Sequence, residues 1–457
     1  MTVKSLLNRL ARRPLITGAA ILTLTGLLSR FIGFFYRIYL SRIYGEENMG
    51  IYQLINPVIA LSFALTSAAF QTAVSKMTAE YAAKCSSLSD PANRRPFWAS
   101  LCLSLPLSLL CTLLTHALAQ PIGTLLLKEP RTVPLLRIIA FSFPFVGIHA
   151  CINGWFYGMK KAGLPSIAQI IEQLTRVICV FLLTSSAMKK GEAPCVRTAV
   201  FGLALGELVS MTVAICTFLP YFRNPAKNRP QSSPAWSSVY RGLLVMVLPL
   251  TANRLVLNLL SSAESVAIPE MLRRYGYHSE TALSVYGVLT GMALPLVFFP
   301  NALTSSIAVM LLPMISENEC LGKRDVLRRL ILRTLKCCVM VGMACLCVFV
   351  LFGPWLGEAM FHSILAGKCI RTLGWICPFL YLDTTLSAIL QGFGKAGTLF
   401  FINVLCLLLR LAFVYLAIPH YGIIGYLWGM LASQLLLTAL YVSSLWGSMR
   451  KQSADRP

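Results

Sequence analysis

The sequence predicts an all-α polytopic membrane protein, with about 12 transmembrane helices in two parallel-repeat six-helix lobes. Three observations predict it. Of 457 residues, 56% are hydrophobic and 12% are charged, about half the charged share of an ordinary soluble domain. Apolar runs of roughly 20 residues, the length that crosses a bilayer, recur along the whole chain. Finally, charged, Pro and Gly positions of the first half return in the second at an offset of 234 residues.

The first span, 15–40, follows Lys4, Arg9, Arg12 and Arg13. It is long for a signal-peptide core and has no small-residue cleavage site behind it, so it reads as a retained helix. Spans 50–75, 97–119, 133–157, 163–187 and 196–220 complete a first lobe, residues 1–220. The stretch from Tyr221 to Pro234 is polar, basic and Pro-rich, and marks a cytoplasmic linker over 221–238. Spans 239–264, 283–312, 331–352, 372–392, 398–418 and 422–447 form a second lobe, residues 239–457. Turn and charge clusters separate the spans, among them Gly45-Glu46-Glu47-Asn48, the Asp90–Arg95 stretch, Lys189–Glu192 and the Glu317–Arg329 stretch.

With the amino terminus in the cytoplasm, cytoplasmic segments together with the span ends beside them hold 24 Lys/Arg and external ones 11, as the positive-inside rule requires. Both termini are then cytoplasmic. The net charge of +23 reflects topology, because the basic residues are spread over every inner loop. No nucleic-acid partner is expected.

At the repeat offset Tyr52 meets Tyr286, Arg137 meets Arg371, and Pro144-Phe145 meets Pro378-Phe379. Gly158 meets Gly392, Lys161-Ala162-Gly163 meets Lys395-Ala396-Gly397, and Arg176 meets Arg410. An even number of spans per half makes the repeats parallel, an arrangement typical of transporters that rock around a central site. Pro57, Pro144, Pro249, Pro295 and Pro378 fall within spans, where each removes a helix hydrogen bond.

Charge inside the spans carries the functional signal. Arg30, Arg37, Arg137, Arg176, Arg254 and Arg410 lie in or beside apolar runs. A guanidinium keeps its proton and is costly in hydrocarbon, so it faces a polar cavity or a partner. Arg30 and Arg37 are seven apart and share a helix face, a cationic stripe suited to phosphate; alternatively, Arg37 snorkels to the headgroups. Arg254, Asn258, Ser261 and Ser265 make a polar stripe on the seventh span, either a substrate-facing surface or an interhelical seam. Glu264, at the outer end of that span, reads as an ion-coupling group or as a partner of Arg273 or Arg274. Asp383 and Glu207 are lone intramembrane acids and further ion-coupling candidates. Glu172 and Arg176 are spaced i,i+4 and read as a structural ion pair. Arg410 has no acid within a turn and needs a distant partner, Asp383 or Glu207, or else a substrate.

The 15 cysteines are scattered, without a CxxC pair or a Cys/His cluster, so no disulfide framework or metal site is expected. The five histidines read as isolated. Gly392-Phe393-Gly394-Lys395 lacks the frame of a P-loop, and no nucleophile–base pair is evident. The chain therefore does not read as an enzyme.

The stretch Leu28-Ser29-Arg30-Phe31-Ile32-Gly33-Phe34-Phe35-Tyr36-Arg37, then Tyr44-Gly45 and Met49-Gly50-Ile51-Tyr52, resembles the opening of the stage V sporulation protein B group. So do Pro249-Leu250-Thr251-Ala252-Asn253-Arg254-Leu255, ending at Glu264, and Gln391-Gly392-Phe393-Gly394-Lys395. That group belongs, with the polysaccharide and lipid II flippases, to the multidrug/oligosaccharidyl-lipid/polysaccharide (MOP) exporter superfamily. Its members often have fourteen spans; twelve are found here. The resemblance implies a MATE/MOP-like fold of two six-helix lobes in a V around a cavity. It implies alternating access coupled to a Na+ or H+ gradient or to the membrane potential, without a bound cofactor. It implies that first-helix arginines hold a substrate diphosphate; Arg30 fits that role best, Arg37 less closely.

The expected function is flipping of an anionic lipid-linked cell-wall or polysaccharide precursor across a bacterial cytoplasmic membrane, in spore-envelope or peptidoglycan assembly. The substrate-binding residues would be Arg30, Arg37, Arg254, Asn258 and Arg410. The partners would be a lipid-linked oligosaccharide or lipid II-like diphosphate, membrane lipids and cell-wall synthesis proteins. The alternatives are a multidrug exporter of the same fold, for which the basic stripe is unfavourable, and a non-transporting envelope scaffold, which gains little from intramembrane arginines.

Overall fold

The computed structural model describes residues 14–84, 94–223, 235–321 and 324–454, and all regular structure there is helical. The basic amino-terminal residues before Pro14 and most of the 221–238 linker lie outside the described residues.

The chain opens with α1 (Pro14–Leu54), α2 (Asn56–Phe63), a π-helical turn over 64–68 and α3 (Ala69–Lys84). Then come α4 (Arg95–Ala117), α5 (Val133–Ala140), α6 (Ser142–Gly158), α7 (Gly163–Lys189) and α8 (Val196–Phe218). The second half holds α9 (Trp236–Arg274), α10 (Ser279–Gly287), α11 (Leu294–Phe298), α12 (Asn301–Cys320), α13 (Arg324–Phe361), α14 (Ile364–Leu373), α15 (Cys377–Gly392), α16 (Ala396–Leu416) and α17 (Ile423–Ala454).

Among the described residues, ten helices are long and apolar enough to cross a membrane, or 11 when the α5–α6 pair, bent by 42°, counts as one span. One of the ten runs 61 residues, Thr23–Ala83. At 1.5 Å per residue it would be roughly 90 Å long, about three hydrocarbon thicknesses. It is two spans, broken at Gly45 (φ 74°, ψ 179°), a conformation that side chains disfavour and glycine adopts freely. Counted so, the spans number twelve.

The expected turn at 45–48 is thus confined to Gly45, and the helix resumes at once. Residues flanking the break hold the end of α13. The Arg42 guanidinium donates to the carbonyls of Ala359 (2.6 Å) and Met360 (2.8 Å), and Glu46 accepts from the Ser363 hydroxyl. These are the orphan carbonyls of a helix end. The charged stretch at 317–329 is likewise mostly helix, the end of α12 and the start of α13.

The repeat is visible in the irregularities. Ile55, where the second span breaks, falls on Leu289 inside a π-helical turn over 288–293. The π turn at 64–68 falls on the Phe299–Pro300 break between α11 and α12. Phe141, the break before Pro144, falls on Trp375 in a 3-10 turn just before Pro378. Pro249, by contrast, lies inside an unbroken α9.

The chain divides into two compact units: residues 1–33 with 55–258, and residues 34–54 with 259–457. Their limits differ from the 1–220 and 239–457 division, because α1 and α9 each contribute one stretch to each unit. In the first unit, Trp155, Phe156, Phe218, Phe97 and Val74 pack in one core. In the second, Leu386, Ile389 and Leu390 of α15 pack with Ile315, Ile331 and Tyr441.

Candidate functional sites within the spans

Arg30 and Arg254 both belong to the first unit, and both side chains are exposed. Each lies a few residues before its helix passes to the second unit, at Gly33 and at Asn258. Upstream of Arg254, Val239, Leu243 and Val247 of α9 pack into the core of the first unit. Asn258 has its amide turned to the Ala60 carbonyl at 3.3 Å, as a helix seam. Further along the stripe, the Ser265 hydroxyl donates to the Ser261 carbonyl at 2.9 Å. Arg37, two turns further along α1, is also exposed and falls in the second unit.

Arg137 is exposed, and Arg176 and Arg410 each belong to a charged cluster. In the first unit, Arg176 donates to Glu172 Oε1 at 3.0 Å, the i,i+4 pair read from the sequence. Its NH2 group also lies 3.7 Å from Glu207 Oε1 on α8. The approach of α8 depends on glycine. A Cβ at Gly202 would stand 2.4 Å from Val180 Cγ2, and one at Gly206 would stand 3.3 Å from the Glu172 carbonyl oxygen. This is small-residue packing of membrane helices. His149 of α6 completes the group, with Nε2 3.2 Å from Glu207 Oε2 and Nδ1 3.3 Å from the Asn153 amide. The expectation of isolated histidines is corrected here. No acid lies within a helical turn of His149, so only the packing of α6 against α8 reveals the contact.

In the second unit Glu264 is buried, with 4% of its side chain exposed. Both Nε and NH2 of Arg410 reach its Oε1, at 2.8 and 2.7 Å. The Tyr426 hydroxyl donates to the same oxygen at 2.8 Å and accepts from Arg410 at 3.2 Å. Three helices, α9, α16 and α17, each supply one member. The expected partners of Arg410, Asp383 or Glu207, are therefore replaced by Glu264. Arg274, one of the expected partners of Glu264, lies instead 3.9 Å from Glu270. Tyr426 carried no sequence signal; a tyrosine near a span end reads as an interfacial anchor.

Asp383 of α15 is buried, accepts from Thr438 at 2.8 Å and is bonded by the Gln434 amide, both on α17. Neutral donors satisfy it, so it ties two helices of one unit together. No group of three or more His, Cys, Asp or Glu that would hold a metal is found among the described residues.

Comparison with known proteins places this architecture. Stage V sporulation protein B of Bacillus subtilis (strain 168) is 26% identical over 441 residues, covering 95% of this chain and 84% of the relative. Lipid II flippase MurJ of the same organism is 21% identical over 402 residues, covering 83% and 73%. Among solved structures, "Lipid II flippase MurJ, inward closed conformation" is similar with a TM-score of 0.72 at 14% identity, over 95% of this chain and 90% of that one. An inward-facing MATE family transporter of the MOP superfamily gives 0.64 at 18% identity, over 93% and 95%. These likenesses agree with the twelve-span repeat and make the chain a multi-pass membrane transporter by fold and relatives. Residues 15–319 match the family described as "Polysaccharide biosynthesis protein", and the chain belongs to that family.

Proposed function

We propose that this chain flips an anionic lipid-linked cell-wall or polysaccharide precursor, the diphosphate being held by Arg30 and Arg254. The observation that carries the reading is the exposure of two intramembrane arginines in the first unit. Arg30 and Arg254 present exposed side chains there, whereas the side chains of Arg176 and Arg410 are 16% and 28% exposed beside their carboxylates. A guanidinium exposed at bilayer depth is costly unless something polar meets it. Its planar fork suits a diphosphate. The stage V sporulation protein B and MurJ relatives support a lipid-linked substrate and a place in envelope assembly.

Movement would be driven by an ion gradient or the membrane potential. Of the three acids considered for coupling, Glu264 is matched by Arg410 and Asp383 by neutral donors. Glu207 shares its cluster with Glu172, Arg176 and His149. Two carboxylates there face one permanent cation, so charge balance is completed by one proton, on His149 or on a carboxylate. A proton is therefore the coupling ion this reading favours.

The test is transport of a fluorescent lipid diphosphate by the purified protein in vesicles. Arg30→Ala and Arg254→Ala should each abolish it with folding intact. Arg254→Lys should restore only part, since the charge returns without the fork. Full activity in the double alanine variant would refute the assignment.

A further inference from the structure

The second unit holds a cavity of about 890 Å3 that none of the foregoing uses. One wall is α14 with the turn that follows it. Lys368, Thr372 and Trp375 recur there at helical spacing, with Arg371 beside them. The other wall is the start of α17, where Leu427, Trp428 and Leu431 face the same space. The cavity thus has a cationic wall and an apolar wall, and no carboxylate among its lining residues. Lys368, Arg371 and both tryptophans are exposed. Ile423, which begins α17, also lines it, so the positive end of a long helix adds to the field.

Only an amphiphile with an anionic head matches both walls. The repeat shows that the pairing is local to this unit: at the same offset Arg371 falls on Arg137, but Lys368 falls on Pro134 and Trp375 on Phe141. We infer that this cavity is a binding site for an anionic phospholipid, whose phosphate meets Lys368, Arg371 and Thr372 while its chains lie along Leu427 and Leu431. Exposed tryptophans mark the headgroup level of a bilayer, where that phosphate resides. The charge sorting puts this end of the unit outside, so the lipid belongs to the outer leaflet. A phospholipid is favoured over a free anion because the apolar wall has no use for inorganic phosphate. Bilayer lipid is also always present in excess, which fills even a modest site.

Native mass spectrometry of the full chain in detergent, with added phosphatidylglycerol or phosphatidylcholine, tests the inference. Wild type should bind one phosphatidylglycerol about tenfold or more tightly than phosphatidylcholine, the effect of one or two charge-assisted hydrogen bonds. Lys368→Ala/Arg371→Ala should bring the two lipids to equal affinity, and Leu431→Trp should weaken phosphatidylglycerol by filling the apolar wall. Lys368→Glu reads the same preference by a second substitution. Exposed positions should leave thermal melting unchanged. Equal binding of both lipids by wild type, or an undiminished preference in the double variant, would overturn the site. Displacement of phosphatidylglycerol by millimolar inorganic phosphate, with Leu431→Trp neutral, would overturn a lipid as the occupant. Tighter binding of a lipid diphosphate than of phosphatidylglycerol, lost in the double variant, would overturn it in favour of the transported substrate.

Discussion

Arg176 and Arg410 occupy the same position of the repeat, yet they are neutralised in different ways. In the first unit the arginine meets an acid on its own helix, a second acid on α8, and a histidine beyond that. In the second unit it meets a single acid on a helix 146 residues away in sequence, together with a tyrosine. The first cluster has one carboxylate more than its permanent cation neutralises, and two titratable neighbours to share a proton. The second is balanced as it stands. One repeat position therefore carries an excess carboxylate beside a histidine in one unit and a matched ion pair in the other.

The comparison is broken most directly at Glu264. Glu264→Ala leaves a guanidinium in the membrane interior without its counter-ion, and should cost about 3–5 kcal/mol. Thermal or denaturant unfolding of the purified protein reads this. A Glu264→Leu/Arg410→Met double variant should recover most of the loss, because removing both charges also removes their desolvation. A neutral single variant would show that Arg410 is not held by this ion pair.

Arg176→Met should cost less, about 2 kcal/mol, because the remaining carboxylates can be relieved by a proton on His149 or on one another. That cost should shrink as the pH falls, since protonation removes the repulsion between Glu172 and Glu207. The cost of Glu264→Ala should stay flat over the same range, because the stranded group is a guanidinium that does not titrate. Parallel pH profiles for the two variants would dissolve the distinction between the units.

Tyr426→Phe removes one hydrogen bond to an ionised carboxylate and should lose about 1.5 kcal/mol without altering transport specificity. His149→Gln should have the smallest effect on stability, below about 1 kcal/mol, because the amide still reaches Glu207. Its consequence should appear in transport, as a flattened response to an imposed proton gradient in vesicles. An unchanged response would move the coupling group elsewhere.

Much of the fold was legible because a bilayer imposes length and polarity on any helix that crosses it. The spans from 97 to 220 and from 398 to 447 agree with α4 through α8 and with α16 and α17 to within a few residues, apart from the bend in the fourth span and the longer end of the last helix. Boundaries failed where a distant partner stabilised extra helix. Arg42 and Glu46 hold the far end of α13 and its neighbour Ser363, and nothing near them in sequence announces it. The Glu172–Arg176 pair was legible because i,i+4 spacing is a property of the helix itself. His149 with Glu207, and Glu264 with Arg410, were not.

The sequence by itself determined that this is a helical membrane protein of repeated halves, which arginines lie within its spans, and where symmetric prolines interrupt them. Those properties follow from local composition and from periodicity, both carried by neighbouring residues. Only the tertiary structure decided that Arg410 meets Glu264, that α1 and α9 each serve both compact units, and that Lys368 and Arg371 open onto an apolar wall. Each of these depends on helices brought together from distant parts of the sequence, by packing that no local pattern encodes.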